Sequence, residues 1–477
     1  MKTKTCYTPL AMRLTKIVCT IGPACRSAQT LKALCDAGMT VARLNLSHGT
    51  QDDCKTIIED IRKINQDYGY AVAIMFDTKG AEIRTGVVQY PIEITKGQEV
   101  VFSPHPLDNE ERTVITVNYD RFYADVPETD RILIDNGEMA LDIVDIRADG
   151  SVVARSQDDG SIGSRRHINL PGADIDLPSI TEKDWEDIAF TCEQKADFVA
   201  LSFIRNAGEV QSVRTFLEER GSPMQIITKV ETRQAVENIA EIIDVSDAIM
   251  VARGDLGADL PFEELPIIQD DIVLRCRDRG TPVIVATHML ESMTEHPMPT
   301  RAEVTDVAYA VMTGADATML SGETASGKFP IRAVEAMARI QQRTEEHIAR
   351  FSRRAEPVHD EREGRSEAAV SLAQASKAVA IVAFTKTGRT VLEISKFRPS
   401  LPIIACTNTP ERQRSLQLAY GVLPLCVPFA DPETTVQNGF SCAKERGFLH
   451  DGDSVVILSD IPISDSGFAP SVQVRTL

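Results

Sequence analysis

Residues 225–257 read QIITKVETRQAVENIAEIIDVSDAIMVARGDLG. Two short apolar runs, Gln225–Val230 and Ala248–Val251, flank a stretch with helical spacing, and the second run opens into a glycine-bearing loop. That is a strand–helix–strand unit. The same rhythm extends in both directions. Downstream, strands are expected at Pro282–Thr287 and Ala317–Leu320, and upstream at Phe198–Phe203, each followed by a helical segment. Thr181, with Glu182 and Asp184 behind it, reads as the start of another helix. Near the N-terminus, Ile17–Thr20, Val41–Leu44 and Val72–Phe76 are expected strands. Helices are expected near Ala28–Cys35 and Lys55–Asn65, and Gly38 reads as a C-cap.

Between about Asp77 and Gly172 the rhythm stops. The text becomes rich in Val, Ile and Thr and is punctuated by Gly, Pro, Asn and Asp, which predicts a separate antiparallel β domain. Three βα units before it and five after make eight, so the fold class is α/β: a (β/α)8 TIM barrel interrupted after its third strand. Ser352–Arg365 is charged and reads as a linker. Beyond it, strands at Ala378–Phe384, Ile403–Cys406, Ser454–Ser459 and Val472–Arg475 predict a third, α/β domain. The expected division is 1–76 with 173–351 for the barrel, 77–172 for the insert and 352–477 for the last domain. Residues 1–12 read as a loose tail.

With 477 residues the chain has room for about three domains. A net charge of −19 argues against a generic nucleic-acid or anionic-membrane surface. The 10 cysteines form no CxxC pair, no signal-peptide pattern opens the chain, and no apolar run is long enough to span a bilayer. Free thiols in a reducing cytoplasm are the expectation.

A TIM barrel presents its active site at the C-terminal ends of its strands. Six strand ends here are polar: Arg43-Leu-Asn45-Leu-Ser47-His48, Asp77-Thr78-Lys79, Lys229-Val-Glu231, Arg253-Gly254-Asp255, Thr287-His288 and Ser321-Gly322-Glu323. Alternation along a strand aims Lys229 and Glu231 the same way. Glu231 and Asp255 offer two carboxylates to one hard cation such as Mg²⁺, with Lys229 beside them. Alone, Lys229 and Glu231 are equally consistent with a surface ion pair. The glycines of Arg253-Gly-Asp-Leu-Gly257 tip the balance towards an anion seat at a helix start.

These segments, taken in order, resemble the pyruvate kinase family. Thr15–Ala24, Arg43–Gly49, Asp77–Gly86, Asn169–Gly172, Lys229–Glu231, Met250–Gly257, Met289–Met293, Pro299–Glu303 and Met319–Ala325 match its signatures. The resemblance implies an inserted β-barrel lid, phosphoryl transfer from phosphoenolpyruvate to ADP as the last step of glycolysis, and ATP and pyruvate as products. It implies Mg²⁺ (or Mn²⁺) on Glu231 and Asp255, and K⁺ on Asn45, Ser47, Asp77 and Thr78. Lys229, Arg43, Gly254, Asp255 and Thr287 would hold substrate. Asn45, His48, Arg84 and Arg166 would meet nucleotide. Thr287, Ser321 and Glu323 would relay a proton to the enolate. Glu82 goes with K⁺ dependence in this family, and a homotetramer is usual.

Three positions depart from the family pattern. Ala81 replaces a usual proline, Arg165-Arg166-His167 a usual Lys-Gly pair, and His288 a common glutamine. An isolated histidine such as His288 reads first as an interior side chain with satisfied hydrogen bonds.

In the third domain, Thr385-Lys386-Thr387-Gly388-Arg389-Thr390 joins a strand to a helix and reads as a phosphate cradle for a phosphorylated effector, or as an ordinary turn. Two other functions share parts of this pattern: a metal-dependent aldolase or lyase acting on the same substrates, and an inactive homologue that only senses sugar phosphates. The intact Lys229, Glu231, Asp255 and Thr287 speak against the latter.

Overall fold

The computed structural model describes residues 13–46, 51–107, 110–173, 175–349, 358–464 and 467–477. The N-terminal tail expected at 1–12 and the first part of the linker, 352–357, lie outside them. Eight parallel strands close into a barrel in sequential order: β1 (Lys16–Thr20), β2 (Val41–Asn45), β3 (Ala73–Asp77), β4 (Phe198–Leu201), β5 (Gln225–Val230), β6 (Ala248–Ala252), β7 (Val283–Ala286) and β8 (Ala317–Leu320). Each expected strand is present, with ends shifted by at most a few residues. Inward-facing Val18, Val41, Met75, Ala200, Ile227, Met250, Ile284 and Met319 fill the barrel interior. The alternate residues of the same strands pack outward against the helices.

Local signals set the helix ends. Ser27 Oγ accepts the Thr30 N–H at 3.2 Å and opens Ala28–Ala37, which Gly38 closes at φ 119°. Thr181 and Asp184 form a capping box on Glu182–Glu193.

The insert between β3 and β4 is a β domain with its own core around Val100, Phe102, Phe122, Ile132 and Val152. A seven-stranded sheet and a two-stranded ribbon, Ile92–Ile94 with Gly160–Ile162, share that core. The pairing departs from the all-antiparallel expectation at one place. Glu99–Ser103 and Thr113–Thr116 run parallel, because the chain crosses over between them instead of turning back in a hairpin.

The expected linker ends earlier than its composition suggested. Asp360 caps a helix over Glu361–Ala375, its Oδ1 accepting the Glu363 N–H at 2.8 Å. Ser366, Ala369, Val370 and Ala373 form the buried stripe of this otherwise charged helix. The last domain is a five-stranded sheet in the order Val422–Cys426, Ile403–Thr407, Ala380–Phe384, Ser454–Ser464, Gly467–Thr476, with only the final pair antiparallel. Its first strand lies in the middle, which puts a topological switch point at the C-terminal end of Ala380–Phe384.

This domain docks on the N-terminal end of the barrel. Arg398 bonds Asp316 at 2.7 Å, Asp316 also accepts the Tyr420 N–H at 2.9 Å, and Arg414 bonds Asp197 at 2.8 Å. Leu418 joins the apolar side chains of the barrel interior. Beside it Lys16, fully buried, donates to the Val422 carbonyl at 2.5 Å, and burial together with Arg13 pushes its pKa down to about 7.

Candidate active site

One layer above the apolar interior, the inward positions turn polar. Two residues beyond Val18, Val41, Met75, Ala200 and Ile227 come Thr20, Arg43, Asp77, Ser202 and Lys229. The side chains converge. Arg43 donates to Asp77 Oδ2 at 2.6 Å and to Thr20 Oγ1 at 2.9 Å. Lys229 Nζ lies 3.3 Å from Asp77 Oδ1, 2.7 Å from Glu231 Oε1 and 2.7 Å from Ser202 Oγ. Ser202 passes its own proton to the Thr78 carbonyl at 2.7 Å.

Burial sets the electrostatics of this cluster. It disfavours the charged lysine, but Asp77 and Glu231 outweigh it and hold the Lys229 pKa above the ordinary value. Burial likewise works against an ionised Asp77, and Arg43 with Lys229 overcomes it, leaving that carboxyl below its usual range. Glu231 goes the other way: burial pushes it up to about 7 despite Lys229. Burial also raises Asp255. Two carboxylates that resist ionisation beside one another are a fitting seat for a cation that would relieve the strain. Among the described residues no three His, Cys, Asp or Glu side chains gather as a metal-binding group. A divalent ion here would therefore have two protein carboxylates and take its other oxygens from water and substrate.

Asp255 stands in the first turn of the helix Arg253–Asp259, just after β6. Gly254 is required there, since a Cβ would come 2.7 Å from Thr287 Cγ2. Thr287 and His288 both take positive φ, 74° and 54°, a conformation that side-chain-bearing residues seldom adopt. Arg253 holds them: it donates to the Ala286 carbonyl at 3.1 Å and the Thr287 carbonyl at 2.7 Å while gripping Asp306 with two bonds of 2.6 and 2.7 Å. His288 is exposed, contrary to the interior reading, because that backbone turns it away from the barrel.

The remaining expected residues divide. Asn45 is the register partner of Asp77, so Asn45, Asp77 and Thr78 stand together at the ends of β2 and β3. Ser47 and His48 lie outside the described residues. Arg84 and Arg166 share one edge of the lid, where each already has a partner: Arg84 bonds Glu82 and the Arg165 carbonyl at 2.6 Å, and Arg166 bonds Asp135 at 2.9 Å. The relay role expected of Glu323 finds no support in its surroundings. Its carboxylate is fully buried and accepts the Leu290 N–H at 2.9 Å and the Ser321 N–H at 2.7 Å, so it ties the loops after β7 and β8 together. In the last domain Thr385 Oγ1 accepts the Gly388 N–H at 2.8 Å, Gly388 sits at φ 93°, and Lys386, Thr387 and Arg389 are exposed around the turn with Thr390 half-buried. This loop occupies the switch point of its sheet, in the domain docked on the end of the barrel opposite Lys229.

Sequence reasoning missed Ser202 and Thr20 as parts of the site, and it gave Arg253, at the end of the sixth strand, no role of its own. The first two carried a usable signal, since each lies two residues beyond an inward apolar position. Arg253 did not, because its partner Asp306 is distant in sequence.

Two family models match the chain: pyruvate kinase, barrel domain, over residues 12–334, and pyruvate kinase, alpha/beta domain, over residues 363–474. A pyruvate kinase of Sporosarcina psychrophila is 40% identical over 98% of this chain and 81% of its own length. Plastidial pyruvate kinase 2 of Arabidopsis thaliana is 41% identical over 98% and 82%. Among solved structures, a pyruvate kinase from Cryptosporidium parvum superposes with a TM-score of 0.88 at 36% identity, covering 98% of this chain and 96% of that one.

Proposed function

The chain belongs to the pyruvate kinase family, and from that premise we propose that it transfers the phosphoryl group of phosphoenolpyruvate to ADP and protonates the resulting enolate to pyruvate, as the last step of glycolysis. The observation that carries the reading is the buried ammonium of Lys229 between Asp77 and Glu231, one loop away from Asp255. Phosphoryl transfer asks little covalent chemistry of a protein; it asks for position and for fixed positive charge where negative charge moves. Lys229 supplies that charge to the moving phosphoryl group and to the enolate oxygen. It stays protonated throughout, because its neighbours raise its pKa. Arg43, anchored by Asp77 and Thr20, points a second cation at the phosphate. Gly254 leaves room for Thr287, whose strained backbone, clamped by Arg253, sets its hydroxyl over the enolate carbon as the last member of a water-fed proton path. Glu231 and Asp255 would hold Mg²⁺ or Mn²⁺, which neutralises phosphate and carboxylate oxygens.

The oxygens of Asn45, Asp77 and Thr78, with Ser47, have the chemistry of a K⁺ site. Full turnover in K⁺-free buffer with a non-activating counterion would contradict this. The phosphate cradle at Thr385–Thr390 is the proposed seat of a phosphorylated activator, and a panel of sugar phosphates and AMP that leaves substrate affinity unchanged excludes it. The assembly we propose is a homotetramer. Phe262, Ile267, Met298 and Met312, all on or beside the helices that follow β6 and β7, are between 56% and 83% exposed, apolar side chains available to a second copy.

The central test is pyruvate formation from phosphoenolpyruvate, read through coupled lactate dehydrogenase, with Mg²⁺ and K⁺. Turnover that requires ADP is expected. Lys229→Met should lower kcat by at least about a thousandfold while the fold persists. Activity without ADP, or an unimpaired variant, rejects the reading.

A further inference from the structure

The lid reaches the paired carboxylates through one side chain that the reaction as described does not use. His167 lies on the lid strand His167–Asn169, paired with Ile83–Arg84 on one side and with Arg131–Ile134 on the other. Its backbone N–H donates to Asp135 Oδ1 at 3.3 Å. Strand alternation aims His167 and Asn169 out of the lid, into a cavity of about 450 Å³ between lid and barrel that Phe203, Glu231 and Arg233 also line. The imidazole Nδ1 stands 3.9 Å from Asp255 Oδ1, about 1 Å beyond hydrogen-bond distance. The ring also meets Phe203 edge-on, with centroids 6.0 Å apart. Phe203 has φ 54°, and its N–H donates to Glu231 Oε2 at 2.8 Å.

One lid residue thus faces the first candidate metal ligand directly and packs on the residue that orients the second. Partners of this kind, hydrogen-bonded to a ligating carboxylate, fix its direction and tune affinity. We propose that His167 is the lid's positioning residue for the divalent-cation site: it holds the Asp255 carboxylate by hydrogen bond and the Phe203–Glu231 pair by packing, so that cation affinity depends on the lid. The proposal rests on the pyruvate kinase reading above for the identity of the site. It requires that the lid close by a small distance, and the cavity beside His167 provides the space.

The test is direct binding of Mn²⁺ to the purified full chain, followed by the electron paramagnetic resonance of the free ion, for wild type, His167→Phe and His167→Gln. His167→Phe keeps a ring against Phe203 and removes the nitrogen. Its Mn²⁺ dissociation constant should rise about tenfold, the lower end of what losing a ligand's hydrogen-bond partner costs. His167→Gln, which restores a donor, should recover part of that loss. A purely structural role would lower the melting temperature and leave Mn²⁺ affinity where it was. Wild-type affinity in His167→Phe, or tighter binding, overturns the proposal. A wild-type chain that binds Mn²⁺ but forms no pyruvate rejects the enzymatic reading and leaves the His167 comparison to stand or fall by affinity alone.

Discussion

Glu231 shows how burial and charge divide the labour at a single residue. Its pKa, pushed up from 4.5 to about 7 by burial, means that the folded protein keeps a proton which the unfolded chain releases. Where the folded state holds the extra proton, stability falls as pH rises, so this side chain's contribution declines from 4.5 to about 7 and stays low above that. The neutral variant Glu231→Gln escapes the decline. In the metal-free protein its melting temperature should therefore gain on the wild type between pH 4.5 and about pH 7 and keep a constant lead above that, by calorimetry at several pH values. A difference that stays constant between pH 4.5 and about pH 7 contradicts the assignment. The pairing of Lys229 with Glu231 was legible from their spacing alone, because alternate strand residues share a face. The role of Arg253 was not. What it does depends on Asp306 and on a left-handed Thr287, and neither leaves a mark in the local text.

At the level of elements, the loops after β7 and β8 pack on one another around Thr294 and are also tied by a carboxylate. Glu323 satisfies two backbone N–H groups, that of Leu290 in the interior and that of half-buried Ser321. Glu323→Ala orphans both and should cost about 3 kcal/mol, at roughly 1–3 kcal/mol for each unsatisfied buried group, measured by urea unfolding. Because Ser321 and the segment after Thr287 then drift, turnover should fall with it, while the KM for ADP, which the proposed function assigns to lid residues, should change little. Strand and helix order could be read from periodicity throughout the barrel. The strand Val422–Cys426, which carries Pro424, was not among those expected. The structure accommodates that proline because this strand lies at the edge of its sheet, where a missing N–H costs little. Reading failed at Ser352–Arg365, since a helix that buries only Ser366, Ala369, Val370 and Ala373 presents charge almost everywhere else.

Across the whole molecule, the switch-point loop and the barrel are physically connected. Gly388, in that loop, lies so close to Leu416 and Arg412 that a Cβ would meet them at 3.1 and 3.5 Å. Two residues after Leu416, Leu418 enters the barrel interior. If the proposed effector shifts this loop, the segment seated beneath the barrel strands is the nearest structure through which that shift would reach the barrel. Leu418→Ala should destabilise the protein by about 2–5 kcal/mol, as truncation of a buried leucine does, seen as a fall in melting temperature. It should also blunt any activation by phosphorylated effectors without changing the unactivated KM for ADP. An activation curve identical to wild type's would show that the signal travels elsewhere.

The position of Leu418 has a practical corollary. The catalytic half borrows its floor from its neighbour: cut the chain after β8 and its helix, and the eight strands would surround an open, greasy well with the Lys16 ammonium stranded at the rim. Expressing the barrel and lid by themselves should yield a sticky, aggregating fragment rather than an unregulated enzyme.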